Sequence, residues 1–316
     1  MDNSSKIKNL QTSQARKVRR TGGGTRPEWF KWAISQNVSS HVVKVSDCNI
    51  HYLLWEGPTP EECKGGLLFI HGGGGHAHWW SFLAPFFARH RKVAALDLSG
   101  MGDSGRRDEY NVQIRAAELL AVIDDAKLDA NSYLIGHSFG GLIATKFAQL
   151  HGKKVCGVIM VDSPVRPPKL AANRKIRRRS KKRYYRDFIS AARRFRLLPE
   201  QECENPFLVK HIAHHSITQT PEGWTWKFDE TAMGSGRLRE PYYRYLAEAD
   251  CPMALVYGEK SALMDTETVD YMKSLMPRGS PIIPIPEAQH HLTLDQPIAF
   301  ITAINAILGQ WSTCNS

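Results

Sequence analysis

One serine in this sequence stands where a nucleophile could be made. Ser138 lies in Gly136-His137-Ser138-Phe139-Gly140, with four strand-like residues, Ser132 to Ile135, before it and a helix-like run, Leu142 to Leu150, after it. A serine on a sharp strand-to-helix turn has a strained backbone. The chain crowds so closely around it that the positions two residues to either side favour glycine. A helix beginning at Phe139 would aim its unpaired N–H groups at whatever the serine attacks. The chemistry implied is covalent, a hydroxyl adding to an electrophilic carbon while negative charge gathers beside a helix start. The bland alternative is a glycine-rich turn holding an ordinary serine. A serine hydroxyl is a poor nucleophile at neutral pH and needs a base within hydrogen-bond reach, so other elements must deliver one.

A second stretch with chemical meaning is His71-Gly72-Gly73-Gly74-Gly75-His76. Its glycines let backbone approach a substrate closely. It contains no Gly-Lys-Ser/Thr and no Gly-x-Gly-x-x-Gly opening a helix, so it does not read as a phosphate cradle. His76 and His78, and His211, His214 and His215, are metal-ligand types, but nearby thiolates and clustered carboxylates are lacking. Neither a metal nor a cofactor is expected.

The elements that would position these groups alternate. His41 to Ser46 and Asn49 to Trp55 read as a hairpin turning at Asp47-Cys48. Gly66 to His71, Val93 to Leu98, Val155 to Val161 and Pro252 to Gly258 are continuous apolar runs, as in strands buried on both faces. Another strand is expected at Pro281 to Ile285. Helical stretches fall near Trp80 to Arg89, Asn111 to Ala126, Glu267 to Leu275 and Pro297 to Leu308, the last with proline at its start. Such alternation implies a mainly parallel sheet with helices on both faces. It stops between about Pro164 and Ala247, where the chain is charged, helix-like and aromatic. That break reads as an insertion over the C-terminal edge of the sheet, where open α/β sheets bind ligands.

The chain has 316 residues, 42% of them hydrophobic, enough for one large α/β domain with an insertion. No apolar run reaches membrane-spanning length, and no secretory signal is evident at the N-terminus. Six scattered cysteines without C-x-x-C spacing favour a reducing, cytoplasmic setting. Net charge is +11, but the excess is local. Residues 1–27 carry +6 and residues 172–186 carry +9, leaving a mildly acidic body. The first segment reads as a basic disordered tail, with a transit peptide as the less favoured reading. The second, Arg174 to Arg183, reads as a solvated face that could touch anionic surfaces weakly. No recognised nucleic-acid-binding motif accompanies either. Trp29, Phe30 and Trp32 are expected to anchor the start of the folded part.

Taken together, His71-Gly72-Gly73, Asp97 with Gly100-Met101-Gly102-Asp103-Ser104, the turn at Ser138, and Ala288-Gln289-His290-His291 with Asp295-Gln296-Pro297 resemble the α/β-hydrolases. The likeness is to their capped, haloperoxidase/epoxide-hydrolase-like branch and covers about residues 28–311. The resemblance implies a twisted, mainly parallel eight-stranded sheet with helices on both faces. It divides the chain into a tail (1–27), a first core part (28–163), a helical cap (164–247) and a second core part (248–316).

It further implies Ser138 as nucleophile and His290 as base, with His291 as rival. The acid usually follows the strand ending at Gly258, but Ser261 and Ala262 stand where it would fall. Some members take it from the preceding strand's end, which here is Asp162; Glu259 and Asp265 are the alternatives. The backbone N–H groups of Gly73 and Phe139 would form the oxyanion hole.

The expected activity is hydrolysis of a small apolar ester, lactone or thioester through an acyl-enzyme. Carbon–carbon bond hydrolysis or a perhydrolase reaction on the same residues, or a ligand receptor of the same fold, stay open. Epoxide hydrolases and haloalkane dehalogenases of this branch need a carboxylate where Ser138 stands. Trp224, Trp226, Phe228, Trp79 and Trp80 suggest an apolar pocket.

Overall fold

The computed structural model describes residues 26–59, 65–128, 131–171, 182–233 and 240–314. The expected basic tail lies outside the described residues apart from Arg26 and Pro27, as does the basic run 174–183 apart from Lys182 and Arg183.

Helix α1 (Glu28–Ile34) opens the described chain and buries Phe30 completely, with Trp29 packed against Phe86 and Phe207. Strands β1 (Ser39–Val45) and β2 (Cys48–Trp55) form the expected antiparallel hairpin. Its turn is Ser46-Asp47 rather than Asp47-Cys48. Ser46 takes the left-handed conformation (φ 53°), and the small apolar side chain of Cys48 is drawn into the core.

Next come β3 (Gly66–Ile70), the short α2 (Ala84–Ala88), β4 (Lys92–Leu96) and α3 (Val112–Asp125). The Asn111 side chain caps α3 by accepting from the Ile114 N–H at 2.9 Å. Then follow β5 (Tyr133–His137), α4 (Phe139–His151) and β6 (Gly157–Val161).

Between β6 and the next core strand lie α5 (Pro168–Ala171), α6 (Phe188–Ala192), α7 (Pro206–His215) and α8 (Tyr242–Ala247). This segment is not purely helical. Ile217–Thr220 (β7) and Gly223–Trp226 (β8) form an antiparallel ribbon, whose alternating Ile, Thr and Trp favour strand over helix. The core resumes with β9 (Met253–Gly258), α9 (Thr266–Leu275), β10 (Ile282–Ile285), the short α10 (Leu292–Asp295) and α11 (Pro297–Cys314).

Eight strands form one sheet in the order β1-β2-β4-β3-β5-β6-β9-β10; β1 and β2 are antiparallel to their neighbours and the rest run parallel. Side chains alternate across it. Leu68, Ile70, Ala94 and Leu96 pack with α3, α4 and α9, while Leu67, Phe69, Val93 and Ala95 pack with α2 and α11. With both faces covered, the inner strands are buried throughout, and their carboxyl ends share one edge of the sheet. Among the described residues no helix is long and apolar enough to cross a membrane.

Candidate active site

At the end of β5 the chain turns straight into α4, and Ser138 forms the corner with φ 53° and ψ −117°. A non-glycine residue there carries backbone strain of about 1–3 kcal/mol. The corner is held by its neighbours, for the Ser138 N–H donates to Val161 O at 2.8 Å and Ser138 O accepts from Gly141 N–H at 3.1 Å. The two glycines of the motif are steric necessities. A Cβ on Gly136 would lie 2.6 Å from the Gly140 carbonyl, and one on Gly140 would lie 2.5 Å from the Ile70 and His71 oxygens. The Ser138 hydroxyl has no hydrogen-bond partner among the described residues.

Asp162 follows β6 directly, beside Ser138 in the sheet, and is likewise left-handed (φ 44°) and fully buried. Its Oδ1 accepts from His290 Nδ1 at 2.6 Å and from the Ser261 hydroxyl at 2.8 Å, and its Oδ2 accepts from the Gly258 N–H at 2.9 Å. Nδ1 of His290 therefore carries the proton, which leaves Nε2 with the lone pair. The loop bearing His290 is fixed from two sides. Gln289 N–H donates to Asp295 at 2.8 Å, and the His290 carbonyl accepts from His137 Nε2 at 2.9 Å. His137 is buried against His290 and His291. Desolvation, then those two imidazoles, hold it well below the ordinary histidine range, so it acts as a neutral donor.

The other candidates are elsewhere. Glu259 is exposed and accepts from Glu287 N–H. Asp265 is exposed and caps α9 through Thr268 N–H at 2.8 Å. His291 is buried beside Trp79 and His290, and its own N–H donates to Gln201. Burial, then the neighbouring His290, pulls its pKa down to about 3.

The glycine loop after β3 lies across from Ser138. His71 anchors it, with Nδ1–H donating to Gly72 O at 2.7 Å and Nε2 accepting from Leu98 N–H at 3.1 Å. A Cβ on Gly73 would lie 3.7 Å from Phe139 Cβ, so the two expected oxyanion residues are neighbours. Neither N–H has an acceptor among the described residues.

The inserted segment closes over this loop. Gly102 N–H donates to Lys227 O at 2.9 Å, Asp229 N–H to Gly100 O at 2.7 Å, and Tyr110 Oη to Asp229 at 2.9 Å. These bonds bring Phe228 against Gly74 and Met233 against Gly73, where any Cβ would collide with the thioether. Of the expected pocket aromatics, Trp79 and Phe228 border the site. Trp80 is a core residue stacked on Phe69, and Trp224 and Trp226 pack within the insertion.

Sequence reasoning missed Met233 and the role of Ser261. The second had a signal, since a hydroxyl stands where the family's acid usually falls. The hydroxyl donates to Asp162, the acid expected from the preceding strand.

An open, mainly parallel sheet, a serine on the strained turn after its fifth strand and a buried His–Asp pair at the same edge are features of the α/β-hydrolase architecture. The family model described as "Alpha/beta hydrolase family" matches residues 67–303, so the chain belongs to that family and, with it, to the hydrolase enzymes. An esterase of Mycobacterium tuberculosis is 25% identical over 286 residues, covering 84% of this chain and 89% of that protein. The dihydrolipoyllysine-residue acetyltransferase component of an acetoin-cleaving system from Pseudomonas putida is 31% identical over 157 residues. That match spans 49% of this chain and only 38% of the relative. The crystal structure of E-2-(acetamidomethylene)succinate hydrolase superposes with a TM-score of 0.73 at 19% identity, over 86% of this chain and all of that one.

Proposed function

We propose that the chain is a serine hydrolase that cleaves carboxylic esters, lactones or thioesters of small apolar acids, with Ser138 as nucleophile. The observation that carries this reading is the buried His290–Asp162 hydrogen bond of 2.6 Å at the sheet edge where Ser138 forms a strained turn. Asp162 holds His290 in the tautomer whose Nε2 accepts a proton, and stabilises the imidazolium once it forms. His290 takes the Ser138 proton as Oγ adds to the acyl carbonyl, and the N–H groups of Gly73 and Phe139 receive the oxyanion. His290 then protonates the leaving alkoxide or thiolate. A water molecule, deprotonated by His290, attacks the acyl-enzyme and releases the carboxylic acid.

Met233, Phe228 and Trp79 support an apolar acyl site, and residues 164–247 act as its cap. The free thiols of Cys48, Cys156, Cys203 and Cys251 accord with a cytoplasmic setting. The resemblance to the esterase from Mycobacterium tuberculosis supports ester chemistry.

A series of p-nitrophenyl esters of increasing acyl length, run against a diketone as the carbon–carbon substrate, tests this. The expected result is ester turnover with a short- or medium-chain optimum that disappears in Ser138→Ala. Diketone cleavage without esterase activity would transfer the same residues to carbon–carbon hydrolysis. Turnover retained in Ser138→Ala would remove Ser138 from the mechanism.

A further inference from the structure

Three histidines that the proposed chemistry does not use come together at the seam between the core and the insertion. His78 lies in the single 3-10 turn Ala77–Trp79 that follows the glycine loop. His211 and His215 are one helical turn apart on α7, so they share a face. One ring nitrogen of each lies within 4.8 Å of those of the other two. The His78 and His215 rings stack with centroids 3.6 Å apart, and His211 meets His215 at 4.8 Å. Ser81 ties the group together, for its hydroxyl lies 3.0 Å from His78 O and 2.8 Å from His211 Nε2. His76 packs alongside at 6.1 Å from His78; its Nε2 meets Ser216 and its Nδ1 is buried without a partner.

Histidine ligates a metal through the lone pair of a neutral ring nitrogen. Among the described residues no carboxylate is hydrogen-bonded to any of the three.

We propose that His78, His211 and His215 bind one divalent transition-metal ion of the zinc type, which fastens α7 of the insertion to the loop that carries Gly73. Imidazole ligands suit Zn2+, Ni2+ and Cu2+ rather than Mg2+ or Ca2+. Three histidines leave a fourth tetrahedral position for water. Ligand nitrogens about 3.3 Å apart would satisfy Zn–N bonds of about 2.0–2.1 Å, so the rings must draw in and the stacked pair must open. Histidine χ2 is a soft torsion that permits this. The sequence argued against a metal because thiolates and carboxylates are lacking near these residues, and it could not show that His78 meets α7.

The test is calorimetric titration of the metal-free full chain with Zn2+, repeated with Co2+ to read the visible absorption of a four-coordinate site. The expected result is one ion per chain with Kd at or below about 1 μM. Binding should weaken at least about 30-fold in His211→Asn and in His215→Asn, and remain in His214→Asn, an exposed neighbour on the same helix. It should also remain in His290→Ala, which excludes capture by the proposed catalytic base. In wild type, Zn2+ a hundredfold above Kd should raise Tm by about 4 °C, so the site can be read even if a variant folds poorly. A wild-type chain that takes up no Zn2+, binding that survives both α7 substitutions, or binding lost in His290→Ala would overturn the proposal.

Discussion

Among the described residues, two buried His–Asp pairs are built alike. His290 Nδ1 meets Asp162 at 2.6 Å, and His51 Nδ1 meets Asp97 at 2.7 Å. Each aspartate follows a parallel strand of the sheet, and each accepts further N–H or O–H groups. Asp97 takes the N–H groups of Ala77 at 2.5 Å and Asp103 at 2.8 Å. The second pair even has its own serine, for Ser40 Oγ lies 2.9 Å from His51 Nε2, which completes an unbroken Ser–His–Asp chain. The Ser138 hydroxyl, by contrast, is bonded to nothing described.

Contacts alone would favour Ser40 over Ser138, the proposed nucleophile. Ser40 sits inside β1, paired with Leu53 in ordinary extended backbone. Ser138 stands on a strained turn at the start of α4, beside two free backbone donors. On the proposed assignment, what separates the nucleophile from a structural hydroxyl is its backbone corner and the free N–H donors beside it. The His–Asp pair serves either purpose.

The sharpest way to separate the pairs is to neutralise each acid. Asp162→Asn should lower ester turnover by about 10^3–10^4-fold, because His290 loses the partner that fixes its tautomer; steady-state kinetics with circular dichroism on the same sample would measure this. Loss of fold instead of turnover would reduce Asp162 to a structural role.

Asp97→Asn should act on stability, costing about 2–4 kcal/mol in urea melts through the loops it ties together, with turnover of the folded fraction retained. The same pair has a pH signature. Burial, the largest single effect, would raise the Asp97 pKa, but the hydrogen bond and charge of His51, together with His71 and His76, outweigh it and bring the group down to about 2. A depressed acid contributes stability that is complete above its unfolded value near 3.8 and is lost as pH falls towards 2. Wild type should therefore destabilise more steeply than Asp97→Asn between about pH 4 and pH 2. Parallel acid-denaturation curves would contradict the assignment.

Ser138→Gly should remove activity yet raise stability by about 1 kcal/mol, since glycine adopts the corner without strain. A destabilised Ser138→Gly would mean that the serine backbone is not strained in solution. The smallest effect is expected from Ser40→Ala, within about 0.5 kcal/mol in stability and without change in turnover.

The sheet was legible in the sequence because strands covered on both faces are unbroken apolar runs, as at Gly66 to Ile70 and Gly157 to Val161. The elbow was legible because Gly136 and Gly140 are demanded by atomic crowding that acts over a few residues. The acid was harder. Local sequence favoured Asp162 over Glu259 and Asp265 only through the resemblance, and it is the register of β6 against β9 that brings Ser261 and Gly258 onto Asp162. The insertion was least legible. Its contacts with the glycine loop, through Phe228 and Met233, and its histidine cluster with His78 join residues far apart in the chain, which no periodicity records.

Labelling with a fluorophosphonate probe, read by intact mass and peptide mapping, tests the assignment of the nucleophile most directly. One adduct per chain is expected, on Ser138, absent in Ser138→Ala and undiminished in Ser40→Ala. An adduct on Ser40, or no adduct on the folded wild-type chain, would contradict it.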